Sequence, residues 1–206
     1  MGEFGSKIAA MVGRMARAVG QLDAPAREAI EAMAAAVIRA VEAGGRVYVC
    51  GNGGSAADAQ HIAGELVGRF RRERRGLPCV ALTTDSSILT ALGNDYDFQR
   101  VFARQVEALL RPGDVLWALS TSGNSPNVLA AARTARELGG VVIAMTGAGG
   151  GELAGLADVC FRAPADETFL VQQLHQLAYH VICELVEEHF AQSGRPDCGA
   201  SQSGAP

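Results

Sequence analysis

The period of the apolar positions changes twice along the chain. Ile8, Met11, Met15, Val19 and Leu22 recur at three- and four-residue steps, which predicts an amphipathic helix from about residue 6 to 22. Asp23 followed by Pro25 reads as a cap and first turn, opening a second helix that reaches Gly44-Gly45. Short apolar runs then take over: RVYVC, CVALT, DVLWALS, VVIAMT and DVCFRA, alternating with helical stretches of ten or more residues. That alternation predicts a parallel sheet of βαβ units, buried under helices on both faces. From Glu167 to Gln192 the helical period returns, with Leu170, Leu174, Leu177, Val181 and Leu185 predicted on one face. The chain so divides into N-terminal helices (1–45), an α/β unit (46–191) and a small polar tail (192–206) read as disordered. The two N-terminal helices and the terminal helix carry more apolar surface than a five-stranded sheet readily covers. Association between copies through these helices is the expected use of the excess.

Composition narrows the picture. With 206 residues, 49% hydrophobic and 19% charged, the chain has the makeup of one compact domain rather than a disordered segment. The net charge of −4 gives no general pull toward nucleic acid or anionic membranes. GRFRRERRG, residues 68–76, is a basic run, read as a solvated helix end and loop rather than a nucleic-acid site. No segment reaches the ~18 consecutive apolar residues of a membrane span, and the early residues lack a secretory pattern. Cys50, Cys79, Cys160, Cys183 and Cys198 are dispersed without CxxC spacing, so reduced, mostly buried thiols and a cytoplasmic location are expected.

Ligands of open α/β sheets bind beyond the carboxyl ends of the strands, and three such ends stand out. After RVYVC, Gly51, Gly53 and Ala56 satisfy the loose dinucleotide pattern GxGxx(G/A), with a helix beginning near Ser55. That reading needs a ribose-binding acid about twenty residues on. The next strand ends at Thr83-Thr84-Asp85, more than thirty residues from Gly51, so a coenzyme site lacks its partner. STSGNS, Ser120 to Ser125, precedes a helix and lacks GK(S/T). Its hydroxyls and the free N–H groups of a helix start form a phosphate cradle; N-capping by Ser125 alone is the simpler use. The third loop, TTDSSILTALGNDYDF, offers Thr84, Asp85, Ser86, Asn94 and Asp95, polar groups suited to a polyhydroxylated ligand or to turns.

His61 and Glu65 lie four apart on the helix after the first loop and share a face. Such a pair binds a metal, performs acid–base work, or simply decorates a helix surface. The terminal helix adds Gln172, Gln173, His175, Gln176 and His180 on an otherwise apolar stretch, where buried histidines need partners. Gln172 and His180 are about two turns apart, so their use in one site suggests two subunits.

CGNGGSAADAQHIAGELVGRF, ALTTDSSILTALGNDYDF, STSGNSPNVLAAA, MTGAGGGELAGLAD and the closing QxxHxxxxHxxCELVE together resemble the phosphoheptose isomerases of the sugar-isomerase (SIS) family, in order from about residue 30 to 190. The resemblance implies a flavodoxin-like five-stranded parallel sheet flanked by helices, assembled as a homotetramer with active sites between subunits. It implies isomerisation of sedoheptulose 7-phosphate to a manno-heptose 7-phosphate, with Glu65 and His180 as acid and base. One zinc ion per subunit is implied on His61, Glu65, Gln172 and His180. Substrate positions map onto Asn52, Gly53, Ser55, Asp95, Ser120, Thr121, Ser122, Ser125 and Gln172. The chain departs from the family at Leu170-Val171-Gln172-Gln173, where many members read RIQE. Two rivals share the loops: an isomerase of another sugar phosphate, and a non-enzymatic relative that binds the replication initiator. The latter carries asparagine where this chain has His180.

Overall fold

The computed structural model describes residues 2–193. The elements run α1 (Glu3–Gly20), α2 (Ala24–Glu42), β1 (Val47–Cys50), α3 (Gly54–Val67), β2 (Cys79–Ala81), α4 (Ser86–Asp95), a 3-10 turn (Phe98–Arg100), α5 (Ala103–Leu109), β3 (Val115–Leu119), α6 (Pro126–Glu137), β4 (Val141–Thr146), α7 (Gly151–Leu156), β5 (Val159–Arg162) and α8 (Thr168–Ser193). Asp23 caps α2 as its spacing predicts, accepting the Ala26 N–H at 3.0 Å, with Pro25 in the first turn. The five strands form one parallel sheet in the order β2-β1-β3-β4-β5. This flavodoxin-like order places its switch point between β1 and β3, where a ligand crevice opens.

Alternate strand residues point to opposite faces and so feed two cores. Val47, Val49, Trp117 and Ile143 pack under α2, α3 and α8 through Met33, Val37, Ile62, Leu174 and Ile182. Tyr48, Leu116, Val142 and Ala144 pack under α5, α6 and α7 through Val106, Val128, Ala132 and Leu153. Burial of the inner strands on both sides is why their sequences read as nearly unbroken apolar runs, whereas the edge strands leave Val80 and Arg162 exposed.

Four expectations need correction. The loop read at TTDSSILTALGNDYDF is mostly helix: Asp85 caps α4 by accepting the Ile88 N–H at 2.9 Å, and the helix buries no residue fully, so its periodicity is weak. The capping also occupies the carboxylate that a coenzyme ribose would need. The helices α5 and α7, seven and six residues long, fall short of ten because Pro112 and the β5 turn follow closely. The buried stripe of α8 is Val171, Leu174, Ala178, Tyr179, Ile182, Cys183 and Val186, whereas Val181 and Leu185 are 38% and 37% exposed. The helix is apolar on two sides, and periodicity alone did not say which side meets the sheet. Finally, α8 runs through Gln192 and Ser193, so the predicted tail starts late; its remainder, with Cys198, lies outside the described residues.

Cys50, Cys79 and Cys183 are buried and Cys160 partly so, all four as free thiols. None of the helices among the described residues is long and apolar enough to cross a membrane.

Candidate active site

At the end of β1 the chain turns so tightly that a Cβ on Gly51 would come within 2.8 Å of Ser55. Gly53, at φ 56°, occupies the left-handed region that favours glycine. These glycines bring the start of α3 into the switch-point crevice, with the Ser55 and Ala56 N–H groups turned back to the carbonyls of Asn52 and Gly53 at 3.0 Å. Across it, Ser125 opens α6 without capping it: its hydroxyl lies 2.9 Å from Ser120 Oγ. N-capping therefore does not explain the serines of this loop. A Cβ on Gly123 would run into the Gly150 carbonyl, which keeps the loop pressed against the start of α7.

Asn52, Gly53, Gly54, Ser55, Ser120, Thr121, Ser125, Thr168 and Gln172 line a cavity of about 280 Å³, together with Leu119. Three helices, α3, α6 and α8, begin at this cavity, and the positive ends of their dipoles favour an anion without a full positive charge among the lining residues. Asn52 is held by a reciprocal amide pair with buried Asn127, 2.8 Å in each direction. Two expected residues are not gathered here. Ser122 is exposed, its Oγ accepting the Asn124 N–H at 3.1 Å; Asp95 is exposed at the end of α4, accepting from Asn94 at 2.8 Å.

About two turns farther along α3 and α8 lies a second cluster. His61 Nε2 is 3.0 Å from Glu65 Oε1 and 3.4 Å from His180 Nε2. The three ligand atoms lie within 4.8 Å of one another. His61 Nδ1 is 2.9 Å from the Tyr179 hydroxyl, which donates in turn to Asp58 at 3.4 Å. Phe70 stacks on the His180 ring at 5.6 Å between centroids. Burial raises the Asp58 carboxyl, partly offset by its bond from Tyr179, and burial also raises the Tyr179 hydroxyl. Burial and the neighbouring His61 lower His180 against the pull of Glu65, which favours a neutral imidazole.

The donor chemistry suits a metal. Two imidazole Nε2 atoms and a carboxylate oxygen face a common point, and the Tyr179–Asp58 relay can hold the His61 proton on Nδ1, leaving Nε2 free. Gln172 is not brought to this point within one protomer. Its amide packs over Gly54 in the cavity, eight residues and about 12 Å of helix rise from His180. His175 belongs to neither cluster: it is fully buried, with Nε2 3.0 Å from the Thr146 carbonyl, and burial pushes it down to about 4.

Sequence reasoning missed Thr168, Asn127, Asp58, Tyr179 and Phe70. Thr168 carried a usable signal, since it opens a long helix at a strand end. The others act through contacts that bring together distant segments, and no local pattern marks them.

A family model described as the SIS domain matches residues 12–147. A phosphoheptose isomerase of Rhodospirillum rubrum is 57% identical over 160 residues, covering 78% of this chain and 85% of the relative. One from Aquifex aeolicus is 56% identical over 156 residues, covering 76% and 82%. Among solved structures, the phosphoheptose isomerase of Neisseria gonorrhoeae superposes with a TM-score of 0.84 at 41% identity, covering 89% of this chain and 99% of that one. That of Francisella tularensis gives 0.85 at 38% identity, covering 89% and 97%.

Proposed function

The chain belongs to the phosphoheptose isomerases of the SIS-domain family, and from that premise we propose that it interconverts sedoheptulose 7-phosphate and D-glycero-D-manno-heptose 7-phosphate through a cis-enediol(ate). The observation that carries this reading is one pair of helices, α3 and α8, bearing an anion cradle at its start and a His–Glu–His cluster two turns on. A heptose 7-phosphate needs that separation, because its reacting carbons lie at the end opposite the phosphate. The amides of α3, α6 and α8 and the hydroxyls of Ser55, Ser120, Thr121 and Ser125 hold the phosphate end. Glu65 takes a proton from C1 of the ketose and returns it to C2. His180 takes the proton of the C1 hydroxyl and delivers one to the C2 oxygen.

The metal we assign to His61, Glu65 and His180 is zinc, one ion per subunit, which when bound would polarise the substrate carbonyl. We place Gln172 as a further ligand supplied from a neighbouring copy. Two features support a site completed by association into a homotetramer through the 1–45 helices. In one protomer Gln172 lies in the cradle rather than at the triad, Asp95 is exposed and does not line the cradle, and the apolar positions Ile8, Met11, Val181 and Leu185 are exposed. The free thiols fit a cytoplasmic location.

The test incubates the purified chain with sedoheptulose 7-phosphate, with and without added zinc, and follows the aldose product, using His180→Ala as the control. The wild type should turn over and the variant should not. Turnover of a different ketose phosphate alone would redirect the assignment to that sugar. No turnover, combined with capture of the replication initiator, would replace the enzyme with the regulatory relative.

A further inference from the structure

GRFRRERRG is more than a solvated loop. Glu187 on α8, 1% exposed, accepts three successive backbone N–H bonds from Phe70, Arg71 and Arg72 at 2.7, 2.6 and 2.8 Å. Burial alone would raise this carboxyl, yet the three amides outweigh it and hold it below its usual value. Arg74, with a side chain also 1% exposed, inserts between the helices. Its Nη2 donates to the Glu65 carbonyl at 2.7 Å, and its Nη1 donates to the carbonyls of Leu66 and Gly68 at 2.8 and 2.9 Å. Its Nε lies 3.7 Å from Glu187. The guanidinium thus binds carbonyls at and just past the end of α3, including that of Glu65 itself, while the Leu66 carbonyl also accepts the Leu77 N–H at 2.9 Å. The outer arginines Arg71 and Arg72 pair with Glu184 and Glu188 at 2.8 Å on the exposed side of α8, where such pairs contribute little.

Two facts tie this strap to the site. Each anchor grips one of the helices that carry the triad: Arg74 the end of α3, Glu187 the α8 face two turns beyond His180. Between them Phe70 stands fixed by its own N–H bond to Glu187, its ring lying over His180 at an interplanar angle of 27°. His180 has a rotatable ring whose position decides whether its Nε2 shares a point with His61 and Glu65. A flat partner held at the backbone restricts that rotation.

We propose that residues 70–74 form a positioning strap for the His61–Glu65–His180 cluster, anchored by Glu187 and Arg74 and acting through Phe70 on the His180 ring. Phe70, Arg74 and Glu187 are positioning residues: none of them supplies a ligand atom to the cluster. The proposal rests on reading the cluster as a metal site, and it predicts an effect on metal affinity and kcat rather than on capture of the phosphate, which occurs two turns away.

The test titrates zinc into the metal-stripped full-length chain by calorimetry and measures kcat and KM with sedoheptulose 7-phosphate for wild type, Phe70→Ala, Phe70→Trp and Glu187→Gln. Phe70→Ala should bind zinc roughly tenfold or more weakly, the loss typical of removing an outer partner of a metal-bound histidine. It should lower kcat with KM little changed, at an unaltered melting temperature of the metal-stripped chain, and Phe70→Trp should restore affinity. Glu187→Gln should move affinity in the same direction; if it fails to fold, Phe70→Ala decides alone. Unchanged zinc affinity in Phe70→Ala overturns the proposal, as does a wild type that binds no zinc. A wild type that binds zinc but leaves sedoheptulose 7-phosphate unconverted sinks the functional assignment instead, and the affinity arm still decides the strap.

Discussion

Cradle and triad share two helices and differ in everything else. The cradle is made of backbone amides, hydroxyls and glycines at the starts of α3, α6 and α8, with Asn127 behind it. The triad is made of titratable side chains on the same helices, each steered by a neighbour: His61 by Tyr179, His180 by Phe70, Glu65 through its carbonyl by Arg74. An anion that is only to be held needs partial charges that never titrate. A proton that is to be moved needs groups that can change charge, and those need an environment that decides when. Separating the two lets each be tuned without disturbing the other, which mutations should expose as a split between KM and kcat.

The largest expected effect is at Glu65. Glu65→Gln keeps the shape of the side chain and one oxygen near His61 but removes the carboxylate proposed as the base. kcat should fall by about 10²–10⁴-fold, the range for loss of a positioned acid or base. KM should stay within about threefold, since the cradle is untouched. Steady-state kinetics at saturating zinc would check this. A rise in KM at unchanged kcat would mean that the triad binds and the division of labour is wrong.

Next in size is a contrast within α8, between His180 at the site and His175 beneath the sheet's edge. His175 is neutral in the fold, pushed down to about 4, whereas the unfolded chain titrates near the ordinary value of 6.5. Between those values the unfolded chain holds the extra proton. Stability conferred by the neutral form is therefore complete above about pH 6.5, falls as pH drops toward 4, and levels off below it. The full loss is about 3 kcal/mol. Urea unfolding across this range, compared with His175→Gln, isolates the contribution: the difference between the two proteins should shrink as pH falls. A difference independent of pH would show that His175 is not buried as a neutral ring.

These contrasts mark where the sequence was legible. The inner strands β1, β3 and β4 could be read because burial on both faces leaves almost no polar position to confuse the pattern. The edge strands β2 and β5 stayed legible as short apolar runs although Val80 and Arg162 are exposed. The cradle loops were equally plain, since tight turns require glycine and a run of hydroxyls where a strand meets a helix start stands out in the sequence. The terminal helix was not, because both its faces are apolar and two of its histidines fit one motif. Only packing shows that His175 meets the Thr146 carbonyl while His180 meets His61. Likewise Glu187 reads as one more acid in ELVEE, and its burial comes from a strap more than a hundred residues earlier in the chain. Long-range side-chain pairs leave no local period, so the supporting shell stayed hidden while the residues it supports were visible.

The smallest effects sharpen the cradle itself. Asn127 touches Asn52 from behind and does not line the cavity, so Asn127→Ala should act only by releasing Asn52. Losing a buried amide pair and stranding one partner costs on the order of 1–2 kcal/mol, which would raise KM by about tenfold if Asn52 contacts the phosphate end. kcat at saturation should change little, because the triad lies two turns away. Ser122 belongs to the same serine-rich loop but is exposed and turned toward Asn124. Ser122→Ala should therefore leave both constants within about twofold of wild type. A KM rise in Ser122→Ala as large as in Asn127→Ala would mean that a substrate or a second subunit draws Ser122 into the site, and the cradle would then be completed only in the assembled enzyme.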